Sequence, residues 1–123
     1  LELYQAIRVS FLGCKWHGVL DTPTNSVAHV YLNQTYLTMF SGCRFANSLT
    51  DMLDALNASG LLVNDCLING AQVYGMHLTS TNYSVITGNY MQNTTADPNI
   101  TDNNVIQTSC TGNNVADNVK TAW

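Results

Sequence analysis

The sequence predicts an all-β fold, a parallel β-helix in which one coil is repeated along the chain. Three observations predict it. The first is a period: a nine-residue motif recurs around Cys14, Cys43, Cys66, Asn89 and Asn113. These anchors are almost evenly spaced, apart from one longer step between the first two. A fixed period in this range marks a solenoid. The second is a pair of apolar columns. Phe11, Phe40, Val63, Ile86 and Cys110 stand three positions before the anchors, and Trp16, Phe45, Ile68, Met91 and Val115 stand two after them. The third is a pair of turn-forming columns. Gly13, Gly42, Asp65, Gly88 and Gly112 precede the anchors directly, and Gly18, Asn47, Gly70, Asn93 and Asp117 lie four after them. Such residues tolerate positive φ or bond their own backbone. The pattern reads as a short strand, a tight bend at the anchor, a second short strand and a turn.

A third strand completes each coil. Residues 1–7 supply a partial strand, with Glu2 expected to be solvated. The first full coil, residues 8–36, is longer than the next by the length of one loop, and Asp21-Thr22-Pro23-Thr24-Asn25-Ser26 reads as the insertion. With the insertion removed, Val30 and Leu32 share columns with Leu53 and Ala55, and then with Met76 and Leu78. Apolar residues alternating with polar ones mark a half-buried strand. Successive coils then stack parallel, roughly 4.8 Å apart. A helical repeat of similar length is disfavoured by the Gly and Asn between the apolar columns and by runs such as Asn93-Thr94-Thr95. A leucine-rich repeat lacks its leucines.

The anchor column explains its own composition. A side chain aimed inward at a tight bend must be small and undemanding, like Cys, or must find a stacked or backbone partner, like Asn. The four cysteines therefore require no disulfides. The chain is one domain, 46% apolar and only 10% charged, with a net charge of −4 and four basic residues. That balance argues against nucleic acid or an anionic membrane as a partner, and no stretch is long and apolar enough to span a bilayer. No N-terminal cap is evident before Leu1-Glu2-Leu3-Tyr4, so residues 1–123 are expected to be a segment of a longer β-helix, docked on the remainder of it.

The segment Gly70-Ala71-Gln72-Val73-Tyr74-Gly75-Met76-His77-Leu78-Thr79-Ser80-Thr81-Asn82-Tyr83-Ser84-Val85-Ile86-Thr87-Gly88-Asn89 resembles the repeat of the right-handed parallel β-helix of the pectin-lyase-like superfamily: a Gly-apolar strand, a polar Ser/Asn turn, and an apolar pair ending in Gly-Asn. The resemblance covers about residues 8–118. It implies a right-handed solenoid of about five turns, each of roughly 23–24 residues, within the range of repeat periods that such folds show. The superfamily includes pectate and polysaccharide lyases, polygalacturonases, alginate epimerases and bacteriophage tailspikes. The Asn-Thr-Asp, Gly-His-Gly and Arg-x-Pro-x-x-Arg motifs of its plant-type enzymes are absent, which weakens a polygalacturonase or pectate lyase reading.

For chemistry, the period brings specific residues together. Tyr31, Asp54 and His77 share an outward column, so they form a ladder in which a carboxylate meets an imidazole, the equipment of general acid–base catalysis. Asp51, three positions before Asp54, adds the second carboxylate that glycoside hydrolysis usually employs. Lys15 and Arg44 share the column after the anchor and could hold an acidic sugar. The expected catalytic residues are Asp54 and His77 with Asp51 assisting, and the expected substrate contacts are Tyr31, Lys15 and Arg44. No metal loop or cofactor motif is present, and no cofactor is expected; Asp97 and Asp102 flank a turn without a calcium pattern. Five Asn-x-Ser/Thr sequons, starting at Asn33, Asn57, Asn82, Asn93 and Asn99, follow from composition and imply no glycosylation. Three functions fit: part of a homotrimeric tailspike on a virion tail that binds and cleaves bacterial surface polysaccharide; a secreted or periplasmic polysaccharide lyase or epimerase; or a non-catalytic structural or adhesive β-helix.

Overall fold

The computed structural model describes residues 1–17, 29–48, 50–71, 74–93, 106–108, 114–116 and 119–122. The insertion with Asp21, the Asp97 and Asp102 turn, Cys110, Asn113 and Trp123 lie outside them. Among the described residues there are fifteen short strands and no helix. β1 (Glu2–Tyr4), β4 (Val30–Asn33), β7 (Leu53–Leu56), β10 (Met76–Thr79) and β13 (Ile106–Thr108) form the first parallel sheet. β2 (Ser10–Leu12), β5 (Met39–Ser41), β8 (Leu62–Asn64), β11 (Val85–Thr87) and β14 (Asn114–Ala116) form the second. β3 (Lys15–His17), β6 (Arg44–Ser48), β9 (Leu67–Ala71), β12 (Tyr90–Asn93) and β15 (Val119–Ala122) form the third. Every strand pairs with the strand three places along the chain. The architecture is a β-solenoid, as the period predicts, and Val30 and Leu32 pair with Leu53 and Ala55, the register expected when the insertion is left out of the count.

The sheets meet at bends that need positive φ. Three columns supply it: Gln5, Gln34, Asn57 and Ser80; Arg8, Leu37, Gly60 and Tyr83; and Gly13, Gly42, Asp65 and Gly88. Only the third is evident from residue type. The left-handed conformation costs an L-residue roughly 1–2 kcal/mol, so Leu37 and Tyr83 hold it against their own sterics. Their neighbours supply the compensation. Each such residue lies next to one that turns inward, and Thr35, Ala58, Thr81, Thr38, Leu61, Ser84, Cys43, Cys66 and Asn89 are all buried.

The core is a stack of like on like. Phe40, Val63 and Ile86 are fully buried in one column, and Phe45 and Ile68, with Met91 nearly so, in another. Phe11 stacks on Phe40 at 4.9 Å between ring centroids, and Trp16 on Phe45 at 4.8 Å. Those distances repeat the spacing of paired strands, and the two stacks meet edge to face where Phe40 approaches Phe45. Each buried side chain of this size contributes about 1.5–3 kcal/mol. Phe11, Cys14 and Trp16 are half-buried because β2 and β3 stand at the edges of their sheets.

The anchor column is satisfied through the backbone. The Cys43 thiol lies 3.4 Å from the Phe11 carbonyl and 3.5 Å from that of Ser41. The Cys66 thiol meets the equivalent carbonyls of Phe40 and Asn64. Asn89 takes over the cross-coil contact, its Nδ2 donating to Val63 O at 3.0 Å, while its Oδ1 accepts the Cys66 N–H at 2.9 Å. Cys14, Cys43 and Cys66 are free thiols, and burial pushes the Cys66 thiol up to about 12.

Two expectations need correction. Asn114, Val115 and Ala116 pair with Val85, Ile86 and Thr87, so Val115, and not Cys110, continues the Phe40–Val63–Ile86 column. The fifth copy is thus displaced from the Asn113 anchor. Its Thr111-Gly112-Asn113 mimics Thr87-Gly88-Asn89 locally, but the pairing adds residues between β12 and β13, as the insertion does between β3 and β4. Among the described residues, the column four after the anchors also falls inside strands rather than in a turn that ends them. Asn47, Gly70 and Asn93 lie within β6, β9 and β12, because these strands run on past the predicted bend. The β6–β9 pairing skips only Asn47 and Gly70, where Gly70 has a φ of 78°.

Candidate functional site

The outer column of the first sheet runs Glu2, Tyr31, Asp54 and His77, each paired with the next, and the backbone of Gln107 pairs with His77. Parallel pairing in register sets Asp54 beside His77, as the period predicts. Asp51 arrives by a different route. It sits in the bend that joins β6 to β7, and two hydrogen bonds to its carbonyl hold that bend: the Ser48 hydroxyl Oγ donates to Asp51 O at 2.9 Å, and the His29 backbone N–H donates to the same oxygen. From there Asp51 Oδ1 accepts the Tyr74 N–H at 3.0 Å. This leaves Oδ2 facing His77.

The result is a three-residue cluster. His77 Nδ1 lies 3.4 Å from Asp51 Oδ2 and 3.7 Å from Asp54 Oδ1. One donor atom from each residue falls within 4.8 Å of the others. The side chains of Asp51 and Asp54 are 14% and 28% exposed, that of His77 36%, so the carboxylates are partly desolvated while the imidazole reaches solvent. Burial raises the Asp51 carboxyl above its ordinary range, against the opposing pull of the Tyr74 N–H and His77. Burial likewise raises Asp54, with His77 lowering it and the neighbouring Asp51 charge raising it. Thr79 Oγ1 lies 3.5 Å from His77 Nε2, and the Tyr74 ring stands 5.2 Å from the imidazole.

Tyr31 is the next rung beyond Asp54, with Asn33 Nδ2 donating to its hydroxyl at 3.4 Å. Lys15 and Arg44 pair with each other at the start of β3 and β6 and are exposed. They belong to the third sheet, however, and Asp54 and His77 to the first. The structure thus brings together Asp51, Asp54, His77 and Tyr31, and leaves the basic pair on another face. Tyr74 was not among the expected site residues. The period could have found it, since Tyr74 occupies the column of Asp51 one coil further on.

This arrangement can move protons. A carboxyl whose hold on its proton is strengthened by burial can donate to a leaving oxygen, and an imidazole oriented by a second carboxylate can accept a proton from water. Comparison with known proteins finds no matching family model, no matching curated protein and no matching solved structure.

Proposed function

We propose that this chain is part of a bacteriophage tailspike that binds and hydrolyses bacterial surface polysaccharide, with its catalytic centre at Asp51, Asp54 and His77. The convergence of the three donor atoms within 4.8 Å on an outward sheet carries this reading. The chain winds as a right-handed parallel β-helix of about five turns, the hand that parallel crossover connections almost always take. A long polar ladder flanked by tyrosines suits an extended sugar chain, whose ring faces pack on aromatic surfaces and whose hydroxyls need polar partners.

In the reaction, Asp54 gives its proton to the glycosidic oxygen as the C1–O bond breaks. The leaving alcohol then departs, and water enters on the same face, bonds to C1 and passes a proton to His77, which Asp51 orients through Nδ1 while the Tyr74 N–H anchors Asp51. The proton then returns to Asp54. Tyr31 and Tyr74 flank the sugar. The second sheet supports a trimer. Its paired outward residues, Ser10, Met39, Leu62 and Val85, then Leu12, Ser41, Asn64 and Thr87, include no ionisable group, so it can be covered by another subunit without burying charge. Such an assembly belongs on the virion tail, outside the cell.

The test is incubation of the intact protein with a panel of capsules and O-antigens. New reducing ends without the absorbance of unsaturated uronates support a hydrolase at this centre. Both signals together indicate a lyase and turn attention to Lys15 and Arg44. Binding without either signal leaves an adhesive β-helix.

A further inference from the structure

We infer that Asp51, Asp54 and His77 also form a binding site for a divalent transition-metal cation of the zinc class, and that the bound cation switches off acid–base chemistry at the same residues. Geometry carries the inference. Four-coordinate zinc holds nitrogen and oxygen ligands at about 2.0–2.2 Å, which sets neighbouring ligands roughly 3.4 Å apart. His77 Nδ1 is already 3.4 Å from Asp51 Oδ2 and 3.7 Å from Asp54 Oδ1, and the third separation is within 4.8 Å. One imidazole with two carboxylates is a mixed nitrogen and oxygen set that suits zinc or manganese better than calcium. Exposure of the imidazole leaves the fourth position to water.

The surroundings are arranged as they are around metal ligands. The Tyr74 N–H occupies Asp51 Oδ1, which fixes the carboxylate with Oδ2 inward. The Thr79 hydroxyl lies 3.5 Å from Nε2, where it can accept the proton that the imidazole must carry once Nδ1 binds a metal. Outer-shell hydrogen bonds of these two kinds orient ligands and tune their basicity. Sequence spacing conceals the site, because the ligands come from two adjacent coils rather than from one loop.

The inference about binding is independent of the hydrolytic reading, and only its regulatory half rests on that reading. The experiment is calorimetric titration of untagged intact protein with zinc chloride, followed by cobalt substitution with visible absorption. One equivalent of zinc is expected to bind, weakened roughly tenfold or more in Asp51→Asn and in His77→Gln, and about tenfold in Thr79→Val. Circular dichroism confirms that each variant is folded. Affinity falls as pH is lowered, because protons compete for the same three donors. Zinc should abolish cleavage of a polysaccharide substrate, and a chelator should restore it. Absent binding, or binding that these variants leave unchanged, overturns the inference even if cleavage is found. Zinc binding by a protein that cleaves no substrate even after treatment with a chelator overturns the hydrolytic reading and leaves the metal site standing. Cleavage that persists in zinc-saturated protein overturns the switch.

Discussion

Two of the columns that run along this solenoid, the inner anchor column and the outer ladder of the first sheet, obey different rules. Inside, Cys14, Cys43, Cys66 and Asn89 repeat one task. Each meets a carbonyl oxygen near the same bend, and the residue type changes where the replacement can still reach the carbonyl of the preceding coil. Outside, Glu2, Tyr31, Asp54 and His77 share only a register. No repeated backbone group serves them, so each contributes its own chemistry to its neighbours. Repetition satisfies the buried column, and variation builds a site on the exposed one.

The sharpest way to separate the two columns is to change one residue in each. Asp54→Asn should lower cleavage about 10²–10⁴-fold, the usual contribution of a positioned general acid, while its thermal melting temperature stays equal to or above that of the parent. A cleavage rate unchanged by this substitution would remove Asp54 from the mechanism. Asn89→Ala should do the opposite. It strips the Cys66 N–H and the Val63 carbonyl of their partner in a dry bend, at a cost of about 1–3 kcal/mol, read as a lower midpoint in urea. Asn89→Cys should cost less, since a thiol can reach the carbonyl as Cys66 reaches that of Phe40.

A smaller effect comes from the bend itself. Gly88 has a φ of +66°, and an added Cβ would lie 2.8 Å from Asp65 Oδ1. Gly88→Ala should therefore destabilise by about 1–2 kcal/mol, without changing zinc affinity. The smallest effect is a pH dependence. Asp51 and Asp54 are raised in the fold, so the unfolded chain ionises first. Their relative stabilisation is fully present below the unfolded value of 3.8 and is lost as pH rises through the folded values. Melting temperature should fall across that acid window in the parent and fall less in Asp51→Asn. Equal slopes in both proteins would show that Asp51 is not desolvated by folding.

The bends show where residue type stops being informative. Gly13, Gly42 and Gly88 advertise positive φ, but Leu37 and Tyr83 adopt it as bulky residues. Nothing in their chemistry prefers that conformation. They hold it because the strands on either side are paired and the next residue, Thr38 or Ser84, is buried. The displaced fifth copy has a related cause. Gly112-Asn113 has the local appearance of an anchor, while long-range pairing of Val115 with Ile86 sets the register.

By itself the sequence determined the period, and with it which residues face inward and which stand on neighbouring rungs. That is why Phe40 over Val63, Lys15 beside Arg44, and Asp54 beside His77 were legible before any coordinates: parallel pairing at a constant repeat converts sequence distance into spatial adjacency. Only the tertiary structure decided what lies off the strands. It swung Asp51 from a bend onto His77 through the Tyr74 N–H, and withdrew two carboxylates partly from water. Those outcomes depend on bend geometry and on burial by adjacent coils, and no periodic pattern encodes either.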